Sequence, residues 1–205
     1  MELLRIVAMV LVLVVHACDA SFGAPAKMQI AETPLISTVK LFMESIVIVC
    51  VNLFVLLSGW YGIKAKKNSL LKLLFQVVFF VIVGFVIYKL MIINEIFSFV
   101  HLSDLPVSAL LFNILLVDFW DYWFVKAYLL LFILSPMLNT FVENVSREQF
   151  KTLLIGFFIF QTAYGWLFEG VFYIYKGYST ISFIGLYLLA RYVKIYRPRI
   201  AHFNK

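Results

Sequence analysis

The sequence predicts an all-α membrane protein, a polytopic bundle of about six transmembrane helices that forms a single domain over residues 1–205. Hydrophobic residues make up 64% of the chain and charged residues only 14%, and the mean hydropathy is +1.00. This composition lies far outside the range of soluble globular domains. At about 20 residues for each spanning helix, plus short loops, the chain has room for about six crossings.

The predicted helices follow the apolar stretches of the chain. Residues 19–37, between the first two, are polar and contain one glycine and two prolines, which predicts an irregular loop. Residues 94–120 carry acidic residues but no lysine or arginine, which is typical of an exterior segment. Within them, 107–117 is apolar but too short to span, so we expect a short re-entrant or interfacial helix. The six predicted spans are residues 1–18, 39–61, 70–93, 121–142, 150–168 and 179–196.

Two local signals refine the later helices. Pro136 lies inside the fourth predicted helix, where a proline kinks the helix and removes a backbone hydrogen bond. The adjacent Ser135 can satisfy the carbonyl that this leaves free. Ser146 and Gln149 have the spacing of a capping box, which predicts that the fifth helix begins beside them.

Positive charge predicts the orientation of the helices. A cluster of lysines follows the second predicted helix, and the end of the chain is also basic. Because lysine and arginine concentrate in cytoplasmic loops, both regions are expected inside, with both termini cytoplasmic and loops one, three and five outside. The net charge of +6 follows from this flanking pattern and does not indicate a nucleic-acid partner. The residues concerned are Lys64, Lys66, Lys67, Arg191, Lys194, Arg197 and Arg199.

The first predicted helix carries Arg5 near its start and His16 near its end, with only apolar residues between them. Eleven residues of α-helix return to within about 20° of the starting direction and rise about 16 Å, so both side chains share one face. Ionisable residues inside a membrane segment indicate a functional site, because they are costly there. Histidine is suited to take a proton from a hydroxyl near neutral pH, and arginine to pair with phosphate oxygens. The alternative is that Arg5 is a cytoplasmic anchor and His16 a helix cap.

Two further features of the sequence can be interpreted in two ways: the apolar core of the first helix, and the Ser-Gly pair that ends the second. Residues 6–15 have the length of a signal-peptide core, but the balanced charge before them and the polytopic remainder favour a retained helix. Ser58 and Gly59 offer a hydroxyl and a close backbone approach, which suit either a ligand or a neighbouring helix.

Cys18 and Cys50 have neither a C-x-x-C pattern nor ligand partners at metal spacing, so we expect no disulfide framework and no metal site.

Three stretches carry a resemblance to a known family. They are ELLRI at residues 2–6 together with His16, NLFVLLSGWY at 52–61, and the run from YWF at 122–124 to SPMLN at 135–139. In this order and spacing they resemble the bacterial integral-membrane acyltransferase family 3, and the likeness extends over essentially the whole chain. The family's pattern of an arginine, ten residues and a histidine falls on Arg5 and His16.

The resemblance implies an enzyme of the bacterial cytoplasmic membrane that transfers an acyl group, usually acetyl or succinyl, from a coenzyme A thioester. The implied acceptor is a hydroxyl of a carbohydrate or of another cell-envelope molecule. By this likeness His16 is the expected catalytic base and Arg5 contributes to binding the donor. The family's phenylalanine-rich approach to Ser-Gly falls on residues 54–59, so Ser58 and Gly59 are also expected at the donor site.

Two departures from the family pattern matter. Many members have about ten helices, so we expect this chain to be the N-terminal six-helix part of the domain, through truncation, gene decay or a split protein. In a split protein, a partner chain would supply the missing helices. Some branches carry a glutamate in helix four, whereas here Trp123 is followed by Phe124 and Tyr128 stands near that position. No glutamate role is carried over. The rival interpretation is a non-catalytic membrane protein, either a transporter-like component or an inactive fragment of the enzyme.

Overall fold

The computed structural model describes residues 2–21, 27–93, 107–115, 122–167, 177 and 179–196. Within these ranges no strand occurs, which confirms the all-α prediction. The helices are α1 Glu2–Ser21, α2 Lys27–Glu32, α3 Pro34–Val47, α4 Cys50–Tyr61, α5 Lys67–Ile93, α6 Val107–Ile114, α7 Trp123–Asn144, α8 Arg147–Thr162 and α9 Thr180–Tyr196, and a π-helical turn, Ala163–Leu167, follows α8. Residues 94–106 and 116–121 of the predicted exterior segment, residue 168 and the basic residues Arg197 and Arg199 lie outside the described ranges.

The second predicted helix is divided into α3 and α4, and it begins earlier than expected. Pro34 is the first residue of α3, because proline lacks an N–H that would be unbonded there and its ring fixes a helical φ. The predicted irregular loop up to residue 37 is therefore wrong in part, and α2 also lies within it. Ile48 and Val49 join α3 to α4 with helical backbone angles, so that Pro34–Tyr61 is one apolar stretch of 28 residues.

Pro136 lies inside α7, and the adjacent Ser135 satisfies the carbonyl that the proline leaves free, as the sequence predicts. Pro136 has no N–H to donate to the carbonyl of Phe132, four residues earlier. The hydroxyl of the fully buried Ser135 donates to that carbonyl at 2.7 Å. The helix therefore continues through the proline to Asn144 with this carbonyl satisfied.

The capping box predicted before the fifth span is confirmed. Ser146 precedes α8, and its hydroxyl oxygen accepts from the backbone N–H of Gln149. In return, the side-chain oxygen of Gln149 accepts from the backbone N–H of Ser146. These bonds satisfy two donors that a helix start otherwise leaves unpaired, so α8 begins at Arg147, three residues before the predicted start.

The chain forms two compact units, one of Met1–Gly62 with Asn139–Lys205 and the other of Ile63–Leu138. In the first unit α4 packs along α9, α1 packs against α3 and α4, and α8 packs against α9. In the second unit α6 packs against α5. The 8-residue α6 agrees with the short helix predicted there.

The core of the first unit lies on α9 and on the start of α8. Phe183 and Tyr187 of α9 are fully buried, and so is Phe150 of α8. The ring of Phe150 makes edge-to-face contacts with Phe141 and Tyr192, at centroid distances of 5.7 Å and 5.3 Å. Aromatic pairs in this geometry add to the stabilisation that their burial provides.

Long apolar helices indicate that the chain lies in a membrane. Three described stretches are long and apolar enough to cross a membrane: Pro34–Tyr61, Lys67–Ile93 and Trp123–Asn144. In the second of them Phe75 and Phe80 are 70% and 69% exposed, as expected for side chains that face lipid. The chain is therefore an integral membrane protein. The count of six spans, the cytoplasmic termini and the single domain stay predictions.

Candidate active site

Arg5 of α1 lies over the ring of Tyr61, the last residue of α4, with 5.2 Å between its Cζ and the ring centroid. The negative face of the ring attracts the guanidinium, which holds the start of α1 beside the end of α4. Ala8, one turn after Arg5, is fully buried, and so small a side chain allows a close helix approach. Because α1 packs against α4 with its start at the end of α4, the two helices are antiparallel.

Two cations of α9 reach the same end of α4. The Nζ of Lys194 lies 6.0 Å from the centroid of the Tyr61 ring. Arg191 packs against Gly62, since a methyl group on that glycine would lie 3.1 Å from Nη1 of Arg191. The Nε of Arg191 is buried and has no hydrogen-bond partner. We call Arg5, Tyr61, Arg191 and Lys194 the Tyr61 cluster.

The Tyr61 cluster contains three cations, and among the helices that form it only α1 carries acidic residues, one of which is Glu2, three residues before Arg5. α4 and α9 contain no acidic residue, so neither helix can pair Arg191 or Lys194 from within its own sequence. The negative end of the α4 dipole lies at the cluster and favours nearby cations. A concentration of one sign of charge attracts counter-ions, and arginine matches the geometry of phosphate oxygens.

Ser58 and Gly59 lie one turn before the end of α4, and both take part in packing or local hydrogen bonding. The hydroxyl of Ser58 donates to the carbonyl of Phe54 at 2.9 Å. A methyl group on Gly59 would lie 2.6 Å from the carbonyl oxygen of Tyr187 and 2.8 Å from Cβ of Ala190. At Gly59, therefore, α4 and α9 approach each other closely enough to exclude a side chain. The predicted contact of Ser58 and Gly59 with the donor stays a prediction.

His16 lies toward the other end of α1, and its side chain is exposed. Because α1 is one unbroken helix over Glu2–Ser21, the predicted separation of about 16 Å and the shared face of Arg5 and His16 both apply. The fold thus brings Arg5 to the end of α4, near Ser58 and Gly59, and leaves His16 about three turns away along α1. Their catalytic and binding roles stay predictions.

A family model for an acyltransferase domain matches residues 1–204. The chain belongs to acyltransferase family 3. No curated protein and no solved structure matches the chain significantly. The match covers all the helices described above, and it confirms the resemblance that the sequence motifs carried.

In this acyltransferase, sequence reasoning missed the contribution of α9 to the candidate site. In the sequence, Arg191 and Lys194 indicate only a cytoplasmic end of the chain. Their spacing of three residues places both on one face of a helix, which was the available signal. Nothing in the local sequence says that this face meets Tyr61, because the two segments are more than 100 residues apart.

One buried polar side chain of α4 lies near the candidate site. The side-chain oxygen of Asn52, in α4, is buried without a hydrogen-bond partner. Asn52 precedes Gly59 by seven residues, so it lies on the side of α4 that faces α9. Within the part of the chain that the structure describes, no group of three or more histidine, cysteine, aspartate or glutamate side chains is placed to hold a metal ion.

Proposed function

We propose that this member of acyltransferase family 3 is a membrane-bound enzyme that transfers an acetyl or succinyl group from a coenzyme A thioester to a hydroxyl group. The acceptor is a carbohydrate or another molecule of the bacterial cell envelope. The observation that carries the proposal is a family match over residues 1–204, which includes an arginine and a histidine on one face of α1. We further propose that the enzyme crosses the bacterial cytoplasmic membrane several times, with both termini in the cytoplasm.

In the proposed reaction His16 acts as the general base. Its imidazole takes the proton of the acceptor hydroxyl, and the oxygen attacks the thioester carbonyl. The carbon–sulfur bond then breaks, the acyl group stays on the acceptor oxygen, and the thiolate of coenzyme A leaves and takes up a proton. The products are an ester and free coenzyme A.

Arg5 binds a phosphate of the donor in this proposal. A guanidinium stays charged at all physiological pH values and can make two parallel hydrogen bonds to phosphate oxygens. The rise of about 16 Å from Arg5 to His16 is compatible with the pantetheine arm that separates the phosphates of coenzyme A from its thioester. The donor would then enter at the Tyr61 end of α1, and its acyl group would reach toward His16.

Replacement of His16 tests the proposed function. His16→Ala should abolish acyl modification of envelope glycans, because the variant lacks the imidazole that takes the proton of the acceptor hydroxyl in the proposed reaction. Mass analysis of glycans from cells that carry the wild-type gene, the variant gene or no gene measures the modification, and membrane yield is measured in parallel.

Leu13→Ala is the matched control, because Leu13 is one turn away on α1 and is 70% exposed. It should leave both modification and membrane yield unchanged. Full modification by His16→Ala would rule out the proposed base and favour a non-catalytic membrane protein or a fragment that depends on another enzyme.

A further inference from the structure

We infer that Arg191 and Lys194 of α9 bind phosphate together with Arg5, so that the Tyr61 cluster is a three-cation site for a phosphate-bearing ligand. The inference rests on the proposed function where it takes that ligand to be the nucleotide end of the acyl donor. It adds a second, distant segment of the chain to donor binding, and it assigns a role to residues that the family pattern of arginine and histidine does not contain.

Convergence of like charges on one ring is the first observation. Arg5 and Lys194 both lie within 6.0 Å of the centroid of Tyr61, although they come from helices at opposite ends of the sequence. Both side chains thus place positive charge beside the same ring, and an anion bound there is attracted by both. Tyr61 is 44% exposed, so a ligand can reach the cluster.

An unpaired donor is the second observation. The guanidinium of Arg191 carries five N–H donors, yet its Nε is buried without a hydrogen-bond partner. Leaving a buried charged donor unpaired is costly, whereas phosphate oxygens would satisfy it. Glycine at position 62, with φ of 76°, leaves the room that the Arg191 guanidinium occupies.

Capping of the Ser58 and Gly59 carbonyls does not account for Arg191. Cations near the end of a helix can be retained simply because they bond its last carbonyls. At the end of α4, the carbonyls of Ser58 and Gly59 already accept from the N–H of Gly62, at 2.9 Å and 3.2 Å. Lys194 lies in the last turn of α9, where the helix dipole favours it, but this does not explain why it also reaches Tyr61 of another helix.

Phosphate can come from two sources at this position. One is a nucleotide such as coenzyme A, and the other is the headgroup of an anionic phospholipid. Both present the same oxygens to the cluster, so the site is defined here by phosphate and the experiment separates the sources.

The test measures binding to the purified full chain in neutral detergent by calorimetric titration. The probes are coenzyme A and adenosine, which shares the nucleoside but lacks phosphate. Arg191→Gln and Lys194→Gln should each weaken coenzyme A binding by about tenfold or more, because each removes a charge-assisted contact. Adenosine should bind far more weakly than coenzyme A to the wild-type chain.

Two matched controls separate a specific site from a generally basic surface. Arg147 lies 5.4 Å from the ring centroid of Tyr196, and Lys89 lies 5.0 Å from that of Phe85, so each is a cation over an aromatic ring outside the cluster. Arg147→Gln and Lys89→Gln should bind coenzyme A as the wild type does. Wild-type affinity in both cluster variants, or equal losses in the controls, would overturn the site.

A lipid arm identifies the source of the phosphate. Nanodiscs of phosphatidylcholine are compared with nanodiscs that also contain phosphatidylglycerol, and thermal unfolding of the chain is measured in each. If coenzyme A does not bind, stabilisation by phosphatidylglycerol that is lost in Arg191→Gln and Lys194→Gln supports the phosphate site with a lipid ligand. No response to either ligand overturns it.

The coenzyme A binding experiment and the His16→Ala activity experiment can fail separately. An active His16→Ala enzyme whose coenzyme A binding requires Arg191 would disprove the proposed base and keep the phosphate site. An inactive His16→Ala enzyme whose Arg191→Gln variant binds coenzyme A normally would keep the proposed function and remove α9 from donor binding. Arg191→Lys, which retains the charge, should lose less affinity than Arg191→Gln if the variants fold alike.

Discussion

Tyr61 and Tyr187 show how single aromatic residues organise the first unit. Tyr61 lies at the end of α4 and contacts cations of α1 and α9 through its ring. Tyr187 is fully buried, and its hydroxyl donates to the side-chain oxygen of Asn139 at 2.6 Å. The first residue presents an aromatic face to charge, and the second connects the middle of α9 to the last part of α7.

Removing the hydroxyl of Tyr187 should destabilise the fold without affecting the cluster. Tyr187→Phe keeps the ring in the core but deletes the hydrogen bond to Asn139, which should cost about 1 kcal/mol of the free energy of unfolding. Thermal unfolding in detergent, followed by fluorescence, measures the loss.

Tyr196→Phe is the matched control, because it removes a phenol hydroxyl while keeping the ring under Arg147. A variant of Tyr187 as stable as the wild type would show that the buried hydrogen bond adds no net stability. Coenzyme A binding should be unchanged in Tyr187→Phe.

At the level of helices, the close approach of α4 and α9 decides which residues can meet at the site. A side chain at Gly59 would collide with the backbone of α9, and one at Gly62 would lie in tight contact with the Arg191 side chain. Gly59 lies against Tyr187 and Ala190, and Gly62 against Arg191, so later residues of α4 meet later residues of α9 and the helices run parallel. The start of α1 and the ends of α4 and α9 therefore lie together.

A methyl group at the contact of α4 with α9 should separate the helices. Gly59→Ala places Cβ 2.6 Å from a backbone oxygen, which cannot rotate away, so a loss of about 1–3 kcal/mol in unfolding free energy is expected. Coenzyme A binding should weaken as well, because Arg191 and Lys194 move with α9.

Gly156→Ala is the control for this prediction. A methyl group there meets nothing within 4 Å, and alanine favours the helix by up to about 1 kcal/mol, so this variant should be at least as stable as the wild type. Equal melting temperatures for Gly59→Ala and the wild type would contradict the close packing described here.

For the whole molecule, the distribution of charge predicts the orientation in the membrane. Lysines cluster directly after α4, while residues 94–120 contain no lysine or arginine. From this pattern the positive-inside rule predicts that the end of α4, and with it the Tyr61 cluster, lies on the cytoplasmic side. This is the side on which a coenzyme A donor is expected under the proposed function.

Single cysteines test this orientation in a background that lacks Cys18 and Cys50. Ala65→Cys and Ser108→Cys both occupy exposed positions. A membrane-impermeant thiol reagent should label Ala65→Cys in inverted membrane vesicles and Ser108→Cys in intact spheroplasts. The opposite pattern would reverse the predicted topology and place the Tyr61 cluster outside.

Local patterns predicted much of the fold. The apolar stretches predicted α1, α5, α7, α9 and the start of α8 to within about three residues at the ends that are described, because length and hydropathy are properties of a continuous segment. The fifth predicted span ends at residue 168, whereas α8 ends at Thr162 and a π-helical turn continues it to Leu167. The sequence does not identify Pro34 as the start of α3, since a proline after polar residues is equally typical of a loop. Arg5 and His16 on one face of α1 needed only the helical period, which sequence spacing contains.

By itself the sequence determined the membrane character, most of the long helices, the capping of α8 and the motif of Arg5 and His16, because composition and short spacings carry each of these. The tertiary structure alone decided that Arg191 and Lys194 join Arg5 at Tyr61. That arrangement depends on two helices packing in parallel around Gly59, across more than 100 residues of chain. A close approach of this kind depends on the shapes of both partners, and neither segment contains it alone.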